Sequence, residues 1–285
     1  MSFLVTGAAG FIGSNIVKKF GSNCICCDLP ESGMKTIKES LGLISSSAFD
    51  AVFHLGAISS TTETNISLIT NNNLQASCDL LEKCIDQEVP FVYASSASVY
   101  GVGKNGFKED CISTPLNYYA ISKSSFDQFV IQKIKDNPEA KIFGLRYFNV
   151  YGNGEDNKGP MASPVHKFLN QANNNKEICV FKGSEFFKRD FIHVDDIVSI
   201  TLAAPYFEES GIYNVGTGKA RSFLDVATAI SNLTGAVIKE IPFPDHLIGK
   251  YQEFTESDNA KIDSTGYRSK RISLEEGILR VINGS

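Results

Sequence analysis

The glycine-rich turn near the start of the chain restricts the fold more than any other feature. An apolar run, Phe3-Leu4-Val5, leads directly into Thr6-Gly7-Ala8-Ala9-Gly10-Phe11-Ile12-Gly13, and a helix is expected to open at Ser14. Glycine allows a tight turn, close approach of backbone to a ligand, and close packing of helix on strand. A helix N-terminus beside such a turn offers N–H groups and the positive end of the helix dipole to a pyrophosphate. The spacing G-x-x-G-x-x-G is weak evidence alone, but its place between an apolar strand and a helix makes it specific.

The same alternation continues. Cys24-Ile25-Cys26-Cys27, Ala51-Val52-Phe53-His54-Leu55, Phe91-Val92-Tyr93-Ala94 and Ile142-Phe143-Gly144-Leu145 read as buried strands. Helically spaced segments such as Leu74, Cys78, Leu81 and Ile85 lie between them. Strand–helix alternation predicts an α/β fold with a doubly wound parallel sheet. Only about 22 residues separate Asp28 from Ala51, so a third strand around Leu41 to Ile44 is expected to be short or missing. After Tyr151 the texture turns to glycine, asparagine and polar loops, with a later strand at Phe191-Ile192-His193-Val194 and no linker.

Composition narrows the function classes. A formal net charge of −5 over 285 residues argues against a nucleic-acid binder. No run of apolar residues is long enough to span a membrane, and Met-Ser-Phe-Leu-Val reads as a strand rather than a signal peptide. A cytoplasmic location is therefore expected. The seven cysteines (24, 26, 27, 78, 84, 111, 179) are odd in number and lack C-x-x-C spacing, so they read as reduced structural thiols, and no metal site is expected.

Chemistry concentrates in three places. Asp28, ending the second strand, suits adenosine ribose hydroxyls, or is a solvated turn aspartate; Lys35 in the same loop suits a ribose 2′-phosphate. Ser96 follows the strand at Phe91, on the carboxyl edge where such sheets bind ligands. Tyr119 and Lys123 stand four residues apart, hence on one helix face. A phenol titrates near 10, too high for a base near neutrality, and a neighbouring ammonium lowers it toward the working range. A serine hydroxyl could polarise the reacting C–O bond.

The glycine turn, Ser96, and Tyr119 with Lys123 resemble the extended short-chain dehydrogenase/reductases, and Arg146-Tyr147-Phe148-Asn149-Val150-Tyr151-Gly152 and Arg189-Asp190-Phe191-Ile192-His193-Val194-Asp195-Asp196 are similarly typical. Four stretches are similar to a narrower group, the ADP-L-glycero-D-manno-heptose 6-epimerases: Gly56 to Glu63, Asn157 to Ser163, Phe181 to Phe191 and Gly249 to Thr255. That resemblance implies a Rossmann cofactor domain at 1–149 and 192–218, and a smaller substrate domain at 150–191 and 219–285. It implies Tyr119 and Lys158 as two acid/bases, Ser96 as their helper at the reacting oxygen, and Lys123 holding the nicotinamide ribose. Cofactor contacts would come from Gly7, Gly10, Phe11, Ile12, Gly13, Asp28, Lys35, Leu55, Gly56, Ala57, Ser59, Asn72, Val150, Tyr119, Lys123 and Lys158. The sugar nucleotide would meet Ser96, Asn149, Phe181, Gly183, Ser184, Arg189 and Tyr251. NADP is the expected cofactor, with NAD the alternative, and a homo-oligomer is expected, a pentamer in the resembling group. Pro160 replaces a serine of the pattern, Lys167 a histidine (with His166 one place off) and Leu55 an acid, and the segment after Asp28 is about twenty residues shorter than usual.

The implied activity is inversion at a sugar carbon in heptose biosynthesis for the lipopolysaccharide core. That carbon carries a hydroxyl and is not acidic, so transient oxidation to a ketone and re-reduction on the other face is the expected route. The rivals are a UDP-hexose 4-epimerase, and a non-catalytic nucleotide sensor on the same fold. A 4,6-dehydratase would carry Asp-Glu where Ala97-Ser98 stands. Outside the resemblance, Lys158 reads as a solvated loop lysine, and Arg189 as either a phosphate clamp or an inter-strand ion pair.

Overall fold

The computed structural model describes residues 2–46, 48–103, 106–244 and 253–284. Its centre is a sheet of six parallel strands: β1 (Phe3–Thr6), β2 (Cys24–Cys27), β3 (Ala51–His54), β4 (Phe91–Ser96), β5 (Ile142–Tyr147) and β9 (Gly211–Val215). Their spatial order is β2-β1-β3-β4-β5-β9.

Because strand side chains alternate between faces, each strand feeds two cores. Phe3, Val5, Phe53, Val92, Phe143 and Leu145 join one, with Ile16 of α1 (Phe11–Phe20) and Ile197 and Ile200 of a later helix, Val194–Ala203. Leu4, Val52, Phe91, Tyr93 and Ile142 join the other. There they meet Ile44 of α2 (Ile37–Ser46), and Leu80, Leu81 and Cys84 from a run comprising α3 (Ile66–Ile69), a π-type stretch (Thr70–Gln75) and α4 (Ala76–Asp86). Phe126 and Val130 of α5 (Tyr118–Asp136) complete that side. The sheet is covered on both faces, the doubly wound arrangement that the strand–helix alternation predicts.

Two local expectations are corrected. The first helix opens at Phe11 rather than Ser14, because Gly10 takes the extended cap position and its carbonyl accepts from Ser14 N at 2.8 Å. Residues 41–44 form no strand but lie inside α2, where Ile37, Leu41 and Ile44, spaced along one helix face, pack with α4. The outcome is a sheet in which β2 is the edge strand.

The rest of the chain builds a second layer. The strands β6 (Asn149–Tyr151), β8 (Lys188–His193) and β10 (Ala220–Ser222) form one small sheet; β7 (Glu177–Phe181) pairs with β11 (Val237–Ile241) in another. α6 (Pro164–Asn175), α8 (Phe223–Thr234) and α10 (Leu274–Asn283) share a core over these strands, including Phe168, Val226, Ile230 and Ile278. α7 (Val194–Ala203) leaves the end of β8 for the first core, and α9 (Ala260–Ser264) packs near β9.

A buried ion pair locks α5 to the sheet. Arg146 of β5 donates through Nε to Asp127 of α5 at 2.8 Å, with both side chains almost wholly out of solvent. Tyr93 donates its hydroxyl to the other Asp127 oxygen at 2.8 Å. Arg146 also donates to the Tyr100 hydroxyl (2.8 Å) and the Glu109 carbonyl (3.1 Å). Gly144 in mid-strand is required here, since a Cβ would lie 2.4 Å from the Tyr93 hydroxyl. Removing one partner of a buried pair strands the other charge, so Asp127→Ala should cost about 3–5 kcal/mol. Chemical denaturation of the variant checks this, and an unchanged midpoint would show that the pair does not hold α5.

Candidate active site

A cavity of about 640 Å³ opens at the carboxyl ends of the central strands. Its floor is the turn between β1 and α1, where Gly7, Gly10, Phe11, Ile12 and Gly13 all line it. The turn is drawn tight: a Cβ on Gly13 would lie 2.0 Å from the Gly7 carbonyl oxygen, so only glycine lets α1 start this close to the strand. The first-turn N–H groups of α1 have no carbonyl partner within the helix. Ser95 Oγ, on the cavity wall, is buried without a hydrogen-bond partner among the described residues. A tight backbone floor, a helix N-terminus and an unsatisfied wall hydroxyl fit an anionic dinucleotide.

Asp28 stands at the rim just beyond β2. One carboxylate oxygen accepts from Ala9 N at 2.6 Å and the other from Leu29 N at 2.7 Å, which fixes its orientation. Lys35 hydrogen-bonds back by its carbonyl to Asp28 N, but its side chain is exposed and does not line the cavity. Lys38, in the first turn of α2, does line it and was not singled out in the sequence. Leu55, Gly56, Ala57 and Ser59, just after β3, and Asn72 in the π-type stretch also line the cavity. The loop at Ile58 is pinned by Asn73, which accepts from Ile58 N (2.7 Å) and donates to Ser122 Oγ on α5 (3.1 Å).

The Tyr/Lys pair lies where the spacing predicts, on the cavity side of α5. Asn117 caps this helix, its side chain accepting from Ala120 N at 2.8 Å. The Lys123 ammonium is buried, donates to the Ala94 carbonyl at 2.7 Å, and lies 6.0 Å from the Tyr119 ring centre. Burial pushes its pKa down to about 8, with Asp127, one turn further along, pulling the other way. Tyr119 is half-buried with Ser96 beside it; burial is the largest cause that raises its phenol above the ordinary value, and the Ser96 hydroxyl opposes it. Asp127 raises it further and Lys123 is not among the causes, so the expected lowering by Lys123 is not found and the phenol rests protonated.

Lys158 enters the same cavity from the loop after β6, together with Asn149 and Val150. Its ammonium sits 4.7 Å from the Phe11 ring centre and 3.1 Å from Glu155, a buried carboxylate that sequence reasoning missed. Phe181, Gly183, Ser184 and Arg189 are not among the cavity-lining residues: they lie on and between β7 and β8, with Ser184 and Arg189 buried and the Arg189 guanidinium 5.7 Å from the Phe223 ring centre. Tyr251 falls outside the described residues. Burial raises Cys24, Cys27 and Cys78 to about 11 and Cys84 to about 12, making these poor nucleophiles. Among the described residues no three His, Cys, Asp or Glu side chains converge as a metal would require, and no helix is long and apolar enough to cross a membrane.

Fold and site together define a Rossmann-type scaffold carrying a short-chain Ser/Tyr/Lys set. The chain belongs to the NAD dependent epimerase/dehydratase family, whose description matches residues 3–216. It is 40% identical to an ADP-L-glycero-D-manno-heptose-6-epimerase of Brachyspira hyodysenteriae, over 96% of this chain and 95% of that protein. Among solved structures it is similar to the Helicobacter pylori ADP-L-glycero-D-manno-heptose-6-epimerase, with TM-score 0.85 and 29% identity, covering 99% of this chain and 95% of that one. It is also similar to the UDP-glucose 4-epimerase of Thermotoga maritima with UDP-glucose, with TM-score 0.85 and 28% identity over 99% and 98% of the two chains. The Thermus thermophilus UDP-glucose 4-epimerase in complex with NAD follows, with TM-score 0.82 and 27% identity over 99% and 98%.

Lys123 also gives a pH test. An anionic dinucleotide in this cavity would be attracted by the ammonium while it is protonated, that is, below about 8, and the attraction would be lost as pH rises through that value. Dinucleotide affinity of the cofactor-free protein, followed by titration calorimetry, should weaken on the alkaline side of 8, and the Lys123→Met variant should show no such step. An unchanged step in the variant would assign the titration elsewhere.

Proposed function

We propose that this chain is an isomerase that epimerises ADP-D-glycero-D-manno-heptose to its L-glycero form. The observation that carries the reading is the meeting, in one cavity, of Tyr119 and Lys123 from α5 with Lys158 from the distant loop after β6. The relatives' names supply the substrate, and the stretch Asn157-Lys158-Gly159 carries the narrower resemblance. When bound, a nicotinamide dinucleotide supplies the reversible uptake and return of hydride at the sugar carbon. Gly10, Phe11, Ile12 and Gly13 hold its pyrophosphate, Asp28 its adenosine ribose, and Lys123 its nicotinamide ribose.

The protein's own residues then manage one proton on each side of the transient ketone. Ser96 holds the reacting oxygen beside Tyr119. Inversion starts with one of the two carriers lacking its proton. That one takes the proton of the sugar hydroxyl as hydride leaves the carbon, and the other gives its proton to the ketone oxygen as hydride returns. Solvent passes a proton between them to reset the pair. Tyr119 serves one face. Lys158 serves the other face. Asn149 lines the cavity beside these groups, and Phe181, Gly183, Ser184 and Arg189 complete the sugar-nucleotide site on this reading. Residues 1–149 with 192–218 act as cofactor domain and 150–191 with 219–285 as substrate domain. The enzyme works in the cytoplasm as a homo-oligomer.

Tyr119→Phe and Lys158→Met should each lower epimerisation by about 10²–10⁴-fold, the usual contribution of a general acid or base. Both should keep their bound cofactor. NMR of the carbon-6 configuration measures the turnover. Near-normal inversion by the Lys158 variant would return the chain to one-base redox chemistry, and no inversion of the ADP-heptose by the wild type would overturn the substrate.

For the dinucleotide we take NAD, in keeping with the family's description and with the Asp28 carboxylate at the adenosine end. A 2′-phosphate placed beside that carboxylate would need a cation, and Lys38 rather than Lys35 lines the cavity there. Lys38→Ala should weaken NADP binding more than NAD binding, while Lys35→Ala should change both equally. A selective NADP loss in the Lys35 variant would restore Lys35 as the phosphate reader, and mass spectrometry of the released cofactor identifies the resident dinucleotide.

A further inference from the structure

Glu155 is 1% exposed, and its carboxylate makes four hydrogen bonds. One oxygen accepts from Gly152 N at 3.2 Å and Ser163 Oγ at 2.7 Å; the other accepts from Ser163 N at 2.7 Å and the Lys158 ammonium at 3.1 Å. Three of these donors are neutral and belong to the two ends of the loop that carries Lys158: Gly152 follows β6, and Ser163 caps α6, accepting from His166 N. A neutral amide of the same shape would accept at one oxygen only and would turn an NH2 group toward the donors on the other side. A carboxylate held out of water needs a cation as well, and Lys158 is the cation bonded to it. Lys167, whose protonation also feels Glu155, donates instead to the Pro160 carbonyl at 2.7 Å.

The grip has a second side. The Lys158 ammonium lies 4.7 Å from the centre of the Phe11 ring, at the first residue of α1 in the cofactor floor. Carboxylate and ring face confine a long side chain, 28% exposed, that would otherwise sample many rotamers. Resting on the two-base reading above, we propose that Glu155 is the positioning residue of Lys158: its buried carboxylate aims the ammonium at the cavity over Phe11 and so fixes the face of the ketone that Lys158 serves. Glu155 does not touch substrate. It acts through Lys158 alone, and its negative charge, rather than its hydrogen-bond frame, is the feature that matters.

Glu155→Gln keeps the length and one accepting oxygen but removes the charge, and Glu155→Asp keeps the charge. A misplacement of about 1 Å at a reacting group costs about 10²-fold, so kcat for inversion should fall by about that factor with KM little changed. The decisive measurement is a double-mutant cycle with Lys158→Met. If Glu155 works through Lys158, the double variant should turn over no more slowly than Lys158→Met alone, and Glu155→Asp, which keeps the charge, should recover part of the lost rate. Thermal unfolding is followed for every variant, and if Glu155→Gln unfolds early, the Asp variant carries the cycle in its place. A Gln variant of normal kcat, or losses that multiply in the double variant alongside a lowered Tm, would overturn the proposal and leave Glu155 a structural anchor. A Lys158→Met enzyme of normal activity would overturn the two-base reading itself, and the proposal with it.

Discussion

The arrangement of the site depends on a single carboxylate, Asp127, buried against Arg146. Tyr119, Lys123 and Asp127 follow one another at intervals of four on α5, so whatever fixes Asp127 fixes the rotation of the helix. Arg146 and Tyr93 do this from β5 and β4, two strands that pair in register, Ser95 opposite Arg146. The strand carrying Tyr93 continues to Ala94, whose carbonyl takes the Lys123 ammonium, and to Ser96, which meets Tyr119. Thus one buried pair aligns helix and strand, and two polar contacts further along them align the chemistry. The pair also has an electrostatic role, since Asp127 opposes the loss of charge that burial imposes on Lys123.

What the sequence could convey follows from the range of each interaction. The glycine turn and the Tyr/Lys spacing are local, and both emerge as read, since neither depends on where the rest of the chain goes. The limits of α1 are local too, but Gly10 is both a turn residue and an adequate N-cap, so composition alone could not choose between Phe11 and Ser14 as the start. Leu41 to Ile44 is an ambiguous short apolar stretch, and only the packing of α2 on α4 decides for helix. Asp127, Asn73 and Glu155 escaped notice for a different reason. The partners of the first two lie across the fold, Arg146 for Asp127 and Ser122 for Asn73. Glu155 instead meets Gly152, Lys158 and Ser163 within eight residues, a closure of the loop on itself that side-chain type alone does not announce.

The reach of charged side chains explains the remaining difference. Lys35 stands in the loop that a phosphate reader should occupy, yet the backbone link between Asp28 and Lys35 leaves its side chain exposed and away from the cavity. The next lysine, at the start of α2, turns toward it instead. The shortened segment after Asp28 therefore brings Lys38 rather than Lys35 to the cavity, because α2 begins at Ile37.

The second layer is tied into the cofactor floor rather than resting above it. Asn15 of α1 donates to the Asn153 carbonyl at 3.0 Å, and Lys158 stacks on Phe11, so the loop after β6 grips the same helix whose N-terminus forms the floor. Such a loop could not be left polar and loose, because a lysine free to swing would serve either face of a ketone or neither. The buried Glu155 frame ends that freedom at the cost of desolvating a charge, and the ammonium offsets this cost only while it stays in place. The position of Lys158 is thereby coupled to the folding of the loop that bears it, and through Phe11 and Asn15 to α1 at the cavity floor.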